Sequence, residues 1–292
     1  QFAESLLGVK YRQKNKSGEY VGGPMYTLKY GLRNKKLGLI LGSAFAVCTV
    51  IASFGIGNMV QANSIARSVS FSFGISARVT GIIMTAAVLA TLLGGIKTIA
   101  KVSGVLVPVM AAVYIAGGLI VIAGNAGGLA SGLRNIWSGA FGVKAAAGGT
   151  AVSFLTVLQN GIAKGVFSNE AGMGSSVLVH TETGCSEPLK MGMWAVAEIV
   201  IDTLICCTAT AFVILLTGAD TSGAEGLAMV TEGFRRGLGR FAPFFVSVST
   251  VIFAVCTLLG WYFYGEKCVC YICGAFGKGN SKAVFVYRIL YT

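Results

Sequence analysis

One stretch of small and polar residues, GVFSNEAGMGSS at positions 165–176, interrupts an otherwise apolar segment of this chain. Irregular backbone at membrane depth is tolerated only where it lines a cavity or is buried in protein, because hydrocarbon cannot satisfy its amides and carbonyls. Those free backbone groups then become ligands for a solute or an ion. The sequence therefore predicts a broken helix at 165–176 beside a cavity, an arrangement typical of membrane transporters.

The composition favours an all-α polytopic membrane protein. Of the 292 residues, 54% are hydrophobic and 12% are charged, whereas a typical soluble domain carries about 25% charged residues. A helix needs roughly 20 apolar residues to cross a bilayer. Apolar stretches occur at about 37–66, 80–96, 103–123, 150–181, 190–217, 241–266 and 283–292, and most of them are long enough to cross. We expect the more polar segments 124–149 and 218–240 to be loops that each carry one amphipathic or interfacial helix.

The net charge of +12 does not indicate nucleic-acid binding, because no basic helix face or interleaved aromatic pattern accompanies it. Many of the basic residues lie in the loop 10–36, where they are Lys10, Arg12, Lys14, Lys16, Lys29, Arg33, Lys35 and Lys36. A basic loop beside membrane spans marks the cytoplasmic side. We therefore expect a lipid bilayer rather than a nucleic acid as partner, with the loop 10–36 in the cytoplasm.

A first group of polar residues at membrane depth follows the glycines at positions 55 and 57 and consists of Asn58, Gln61, Asn63 and Ser64. Asn58 and Gln61 share a helix face at i and i+3. An amide there can bind the ammonium or carboxylate group of a solute, or it can hydrogen-bond a neighbouring helix. The two interpretations are balanced for Gln61, and a hydrogen bond to a neighbouring helix is favoured for Asn63.

The break itself predicts a half-helix that begins near Asn169 or Gly172, whose free amides and positive dipole end would attract a carboxylate. Glu170 would coordinate a cation or pair with Lys164, and pairing is favoured because a charge in the membrane needs a partner. Close helix packing is the competing explanation for the glycines of this stretch.

The stretch 241–266 contains a third group. The Thr257 hydroxyl and the carbonyls of its region could surround a hard cation such as Na⁺, and Trp261 could close a small apolar pocket. Alone, Thr257 would more often bond to its own helix carbonyl. Glu198 and Asp202, at i and i+4, indicate either a proton relay or ion site or a structural hydrogen-bond network, which is slightly favoured.

No residue pattern in the chain indicates an enzyme or a bound cofactor. His180 is the only histidine and lies near a predicted span end, and there is no H-E-x-x-H motif or other catalytic constellation. Cys268, Cys270 and Cys273 lack the nearby fourth ligand that a zinc site requires.

Four segments together resemble the alanine or glycine:cation symporter family, which belongs to the transporters with the leucine-transporter-like fold. They are YVGGPMY at 20–26, FGIGNMVQANS at 54–64, GVFSNEAGMGS at 165–175 and LGWYFYGE at 259–266. The resemblance implies an inverted-repeat helix bundle and symport of alanine or glycine with Na⁺, or in some members H⁺, by alternating access across the plasma membrane.

The resemblance also implies site residues. Gln61 on the third helix of the family layout, residues Phe167, Ser168, Asn169 and Gly172 of the broken sixth helix, and Thr257 and Trp261 on the eighth would contact the substrate. Cys256 and Thr257 would belong to a sodium site between the first and eighth helices. Many relatives carry Ser where this chain has Cys256, so its side chain is a doubtful ligand.

Against that layout, residues 1–292 form a single, partial transporter domain that runs from the end of helix two to the start of helix nine. The expected bundle is therefore incomplete, because helix one would supply the rest of the substrate pocket and of the sodium site. The alternative function is a non-transporting fragment or a regulatory membrane subunit.

Overall fold

A computed structural model describes residues 1–15, 18–141, 151–275 and 280–292, and these residues are mostly helical. The first third contains α1 (Phe2–Tyr11), a hairpin of β1 (Gln13–Lys14) and β2 (Tyr20–Val21), α2 (Pro24–Gly31), α3 (Lys35–Ala52), a π-helix (Ser53–Met59), α4 (Val60–Phe73) and α5 (Ala77–Leu93). The middle contains α6 (Gly95–Gly124), α7 (Leu129–Phe141), α8 (Ala151–Asn169) and α9 (Val177–His180). The remainder contains α10 (Pro188–Ile199), a second π-helix (Val200–Cys207), α11 (Thr208–Thr217), α12 (Leu227–Leu238), α13 (Ala242–Ala275) and α14 (Asn280–Tyr291).

The chain divides into two compact units. The first unit comprises residues 1–107, 170–198 and 250–292, and the second comprises 108–169 and 199–249. One boundary falls at Pro108 inside α6, where the ring removes a helical hydrogen bond. Another falls between Asn169 and Glu170, where α8 ends.

Four helical stretches among the described residues are long and apolar enough to cross a membrane. They are Lys35–Phe73, Thr98–Gly124, Pro188–Thr217 and Leu227–Gly274, while Ala77–Leu93 is a shorter apolar helix. Large apolar side chains on these helices remain exposed, including Ile40, Ile82 and Trp194. Extensive apolar exposure of this kind suits contact with lipid rather than with water, so the prediction of an all-α polytopic membrane protein is confirmed.

The core of the first unit is built on α13. Trp261, Phe263 and Tyr264 are buried in one cluster with residues of α2 and α3. Tyr262 stacks on Tyr287 of α14, with the ring centroids 5.6 Å apart. Because Gly57 of the first π-helix has no side chain, its backbone lies directly against Trp261. Small residues permit this close approach between membrane helices.

The core of the second unit contains Val121, Val213, Phe234 and Phe245. Its α12 is amphipathic, as the sequence predicts for 218–240: Phe234 is fully buried, whereas Glu232 forms ion pairs with Arg235 and Arg236. Arg236 also donates to the carbonyls of Thr217 and Gly218 at the end of α11. A cation at this position satisfies carbonyls that the helix itself leaves unpaired.

Two expected loops contain regular structure. The helix predicted within 124–149 is present as α7, and residues 142–149 lie outside the described residues. The basic segment 10–36 is more ordered than a loop, because it contains the β-hairpin and α2. Arg12 stabilises the hairpin region by stacking on the Tyr20 ring at 3.6 Å and by donating to the carbonyls of Thr181 and Thr183.

Candidate functional site

The predicted helix break is present, and it is shorter than the sequence indicates. Helix α8 continues through Asn169, and irregular backbone then extends from Glu170 to Ser176. Within it, Glu170, Gly172 and Gly174 have φ angles of 56°, 85° and 74°. Glycine adopts this left-handed region readily, whereas for glutamate it costs about 1–2 kcal/mol. The glycines therefore form the turn, and the strain at Glu170 requires compensating contacts.

The expectation of a half-helix beginning near Asn169 or Gly172 is wrong. The next helix, α9, begins at Val177 and has 4 residues, too few to align a substantial dipole. One amide of the break nevertheless binds a carboxylate, because the Gly172 amide donates to Glu4 Oε2 of α1 at 3.1 Å. The Glu4 carboxylate, which lies far from Gly172 in the sequence, thus accepts a hydrogen bond from the free backbone amide.

Glu170 is held by neighbours from its own unit. The Ser175 hydroxyl donates to Glu170 Oε2 at 2.6 Å, and the side chains of Tyr264 and Trp261 lie close to the carboxylate. These contacts connect the irregular segment to α13. Pairing with Lys164 stays a prediction, because Lys164 belongs to the second unit.

A cavity of about 330 Å³ adjoins the break within the first unit. Its lining comes from α6, α13 and the broken segment, and the polar members are Ser103, Glu170, Cys256, Thr257 and Tyr264. Small-molecule sites of this size, mostly apolar with a few polar groups, are common. The cavity lies where the sequence predicts one, beside the irregular backbone.

Two hydroxyls in this cavity differ in how they are satisfied. Thr257 Oγ1 donates to the Phe253 carbonyl of its own helix at 2.9 Å, which is the structural alternative that the sequence left open. Ser103 Oγ is buried and makes no hydrogen bond of normal geometry among the described residues, and its side chain adjoins the Cys256 thiol. A thiol is a weak hydrogen-bonding partner, so the Ser103 hydroxyl is a polar group available to a ligand. Its position in an apolar stretch gave no signal in the sequence.

The other predicted substrate residues of the first unit do not line this cavity. Trp261 is 3% exposed and contacts the Tyr264 ring edge-on at 5.4 Å between centroids. Gln61 is partly buried on α4. Asn58, one turn before it, donates to the Tyr291 carbonyl and lines a separate cavity of about 90 Å³.

The remaining predicted substrate residues lie at the end of α8 in the second unit. The Phe167 side chain is 42% exposed. Ser168 Oγ donates to Asp202 Oδ2 at 2.6 Å, and Asn169 Nδ2 donates to Thr203 Oγ1 at 3.1 Å. The seven substrate positions and the Cys256–Thr257 sodium site stay predictions.

A hydrogen-bonded chain connects Ser5, His180 and Glu198, and the sequence analysis anticipated neither Ser5 nor His180 as its members. Ser5 Oγ lies 2.8 Å from His180 Nδ1, and Glu198 Oε2 lies 3.0 Å from His180 Nε2. These contacts join α1, α9 and α10. Glu198 and Asp202 therefore both have hydrogen-bonding partners on other helices, His180 for Glu198 and Ser168 for Asp202, as the structural alternative in the sequence analysis expects.

Comparison with known proteins identifies the chain's relatives. Residues 1–292 match the sodium:alanine symporter family. Sodium/alanine symporter AgcS of Methanococcus maripaludis is 38% identical over 100% of this chain and 63% of its own length. The "Probable sodium/glutamine symporter GlnT" of Bacillus subtilis is 36% identical over 99% of this chain and 58% of its own length. Amino-acid carrier protein AlsT of Bacillus subtilis is 32% identical over 99% of this chain and 59% of its own length.

The chain thus spans less than two thirds of the length of these curated relatives. The family consists of symporters rather than enzymes. A match along the entire sequence, together with several apolar helices of spanning length, leads to one conclusion: this chain belongs to the sodium:alanine symporter family.

Proposed function

We propose that this chain forms part of a transporter that carries a small amino acid, alanine or glycine, together with Na⁺. The observation that supports this most is the cavity beside the broken helix, with Glu170, Thr257 and Ser103 in its lining. Membrane transporters commonly bind their solutes beside discontinuous helices. The relative from Methanococcus maripaludis is named a sodium/alanine symporter, which agrees with alanine as the solute and Na⁺ as the ion.

The substrate is expected to be small. A cavity of about 330 Å³ with an apolar majority in its lining suits a short aliphatic side chain, and its few polar groups suit the zwitterionic end of an amino acid. The relative described as a sodium/glutamine symporter makes glutamine the competing substrate. The side-chain amide of glutamine would need polar partners, and the lining of this cavity contains few polar side chains.

The ion would couple to the solute through binding free energy. If Na⁺ and the amino acid each favour the same closed state, each raises the affinity of the other by the same factor. We propose alternating access in a leucine-transporter-like, inverted-repeat bundle of which 1–292 is a single transporter domain. The plasma membrane would be its location, with the segment 10–36 on the cytoplasmic side. Cys256 and Thr257 would hold Na⁺, and H⁺ is the alternative coupling ion.

Uptake of labelled alanine into proteoliposomes tests the proposal, using the protein that carries this chain. We expect accumulation that depends on an inward Na⁺ gradient and is inhibited by unlabelled alanine or glycine more strongly than by glutamine. Uptake that is unchanged after both the Na⁺ and the H⁺ gradients are collapsed would reject coupling. Stronger inhibition by glutamine would reject the substrate assignment alone.

A further inference from the structure

An exposed group of cations lies in the first unit, where α2 ends and α3 begins. Arg33, Lys35 and Lys36 lie in or beside the turn between these helices, and all three residues are exposed. Asn34 stabilises the start of α3, because its side chain accepts hydrogen bonds from the Lys36 and Leu37 amides, the usual role of a helix N-cap. The turn therefore has a defined structure and presents three cations to the surroundings.

A fourth cation comes from a distant part of the sequence. Helix α1 ends at Tyr11, and the ring of this tyrosine packs on the end of α2, since a Cβ added at Gly31 would lie 3.4 Å from it. The Lys10 ammonium lies 5.5 Å from the centroid of the same ring, a cation–π distance. Because Gly31 is two residues before Arg33, this packing brings Lys10 close to the turn. The basic cluster is therefore Lys10, Arg33, Lys35 and Lys36.

The positive charge of the basic cluster is not balanced within the described part of the chain. The ion pairs found there involve other basic groups. Glu19 is the one acidic residue between positions 10 and 36, and its carboxylate accepts a hydrogen bond from Asn15. Lys35 Nζ donates to the Tyr30 carbonyl, a neutral partner that leaves the charge in place. Because like charges repel one another, the cluster favours an anion from outside the chain.

Arg12 shows how a basic residue of the same segment is held when its role is structural. Its guanidinium stacks on the Tyr20 ring and donates to the carbonyls of Thr181 and Thr183. The side chains of Arg33 and Lys36, in contrast, make no hydrogen bond, ion pair or ring contact with the residues that the structure describes. These two cations are therefore free to bind an external group.

The position of the basic cluster points to a lipid headgroup as that external group. The candidate span Lys35–Phe73 begins within the cluster. Leu37, Leu39 and Ile40 follow at once, and their side chains are 46%, 39% and 64% exposed, which suits contact with hydrocarbon. Tyr30, just before the turn, is 39% exposed, and tyrosine is enriched at membrane interfaces. Cations at such a boundary lie at the level of the lipid phosphates.

The chemistry of the basic cluster favours an anionic phospholipid over other phosphate compounds. Lysine and arginine bind phosphate oxygens through charge-assisted hydrogen bonds. In a zwitterionic phospholipid, the headgroup ammonium cancels the phosphate charge, whereas an anionic phospholipid retains it. The exposed apolar side chains beside the cluster suit the acyl chains of the same lipid molecule. A soluble phosphate would gain nothing from those side chains.

We propose that Lys10, Arg33, Lys35 and Lys36 bind the headgroups of anionic phospholipids in the leaflet where α3 begins. The cluster contains residues from the end of α1 and the start of α3, so the lipid phosphates connect the ends of these two helices. This surface is separate from the solute and ion sites of the proposed function. It requires only that the chain lies in a membrane.

The test measures lipid binding to the purified protein that carries this chain, in an uncharged detergent, by native mass spectrometry. Phosphatidylglycerol is the anionic probe, and phosphatidylcholine is the zwitterionic reference. The cluster variant carries Lys10→Gln, Lys35→Gln and Lys36→Gln. Each basic residue near an anionic surface contributes about a fivefold change in affinity, so we expect phosphatidylglycerol to bind this variant about tenfold or more weakly. The affinity for phosphatidylcholine should stay unchanged.

A second triple variant controls for the loss of net charge. It carries Lys101→Gln, Lys190→Gln and Lys282→Gln, which are three exposed lysines of the same unit that are separated in the sequence. This variant should bind phosphatidylglycerol within about twofold of the wild type. Equal weakening in the two triple variants would overturn the proposal, because any surface lysine would then have the same effect. Wild-type affinity in the cluster variant would also overturn it.

Arg33→Gln and Lys36→Gln, made singly, provide a second route if the cluster variant does not fold. Neither side chain contacts the described residues, so each variant should retain the fold and bind phosphatidylglycerol about fivefold more weakly. Wild-type affinity in both single variants would overturn the proposal.

Inorganic phosphate distinguishes a lipid from a soluble anion. At constant ionic strength, added phosphate should leave the affinity of the wild type for phosphatidylglycerol unchanged. Displacement of phosphatidylglycerol by phosphate would overturn the lipid assignment, because the cluster would then be a site for free anions. Equal affinity of the wild type for phosphatidylglycerol and phosphatidylcholine would overturn recognition of the lipid charge.

Discussion

Glu170 and Asp202 are both acidic residues near the helix break, and their surroundings differ. Glu170, in the first unit, accepts a hydrogen bond from Ser175 and interacts with Tyr264 and Trp261 of α13. Asp202, in the second unit, accepts hydrogen bonds from the hydroxyls of Ser168 and Thr203 and remains partly exposed. The first arrangement resembles a structural anchor that is held by Ser175 and packed beside two buried aromatic side chains. The second retains a partly accessible charge.

The largest expected effect is that of Trp261→Ala. Trp261 is 3% exposed, packs against Gly57 and interacts with Glu170. Removal of such a side chain should lower the free energy of unfolding by about 3–5 kcal/mol. Unfolding of the purified protein in detergent measures this loss, and Trp261→Phe should retain most of the stability. The sequence also predicts that Trp261 contacts the substrate, so alanine binding should weaken, and unaltered affinity in a folded variant would contradict that prediction.

Glu170→Ala should have the next largest effect. It leaves the Ser175 hydroxyl without its acceptor, and a hydrogen bond to a charged group contributes about 1.5–3 kcal/mol. The same unfolding assay should show a loss in this range. Glu170→Gln, which can still accept the bond, should lose less. Equal stability of the wild type and both variants would contradict the role of Glu170 as an anchor.

Gly174→Ala tests the backbone of the break. Gly174 has a φ of 74°, and an added Cβ would contact Pro24 and Phe45. The combined strain should cost about 1–3 kcal/mol. Gly172→Ala is the matched control, because its φ of 85° imposes the same backbone penalty while no atom lies within 4 Å of an added Cβ. Equal losses in the two variants would show that the contact with Pro24 is unimportant.

Asp202→Asn should have the smallest effect on stability. Asparagine can still accept hydrogen bonds from Ser168 and Thr203, and it removes an uncompensated charge, so the change should be within about 0.5 kcal/mol. The measurement is unfolding in Na⁺-free detergent solution. A loss as large as that of Glu170→Ala would show that the two carboxylates have the same structural role.

The sequence predicted the features that depend on local composition. Glycines and polar residues in an apolar segment indicated a break at 165–176, and the amphipathic helix α12 followed from its charge pattern. The partner of the Gly172 amide could not be predicted, because that amide donates to Glu4. Those residues are 168 positions apart, so no local pattern connects them.

The residues of the candidate site also divide into those that local sequence identified and those that it did not. Thr257 and the glycines of the break were identifiable, because polar or irregular groups in apolar segments are conspicuous. Ser103 was not, since one serine in a membrane helix usually bonds to its own backbone. The chain of Ser5, His180 and Glu198 joins three helices, and only the folded structure brings those helices together.

Thermal unfolding with and without Na⁺ tests the contrast between the two carboxylates most directly, using the wild type, Glu170→Gln and Asp202→Asn. Glu170→Gln should unfold at a lower temperature than the wild type and retain the full stabilisation by Na⁺, since ligand binding to the folded state raises its stability. Asp202→Asn should unfold near the wild-type temperature, because asparagine can still accept the hydrogen bonds from Ser168 and Thr203. A fall in the unfolding temperature of Asp202→Asn as large as that of Glu170→Gln would contradict the assignment of the two roles.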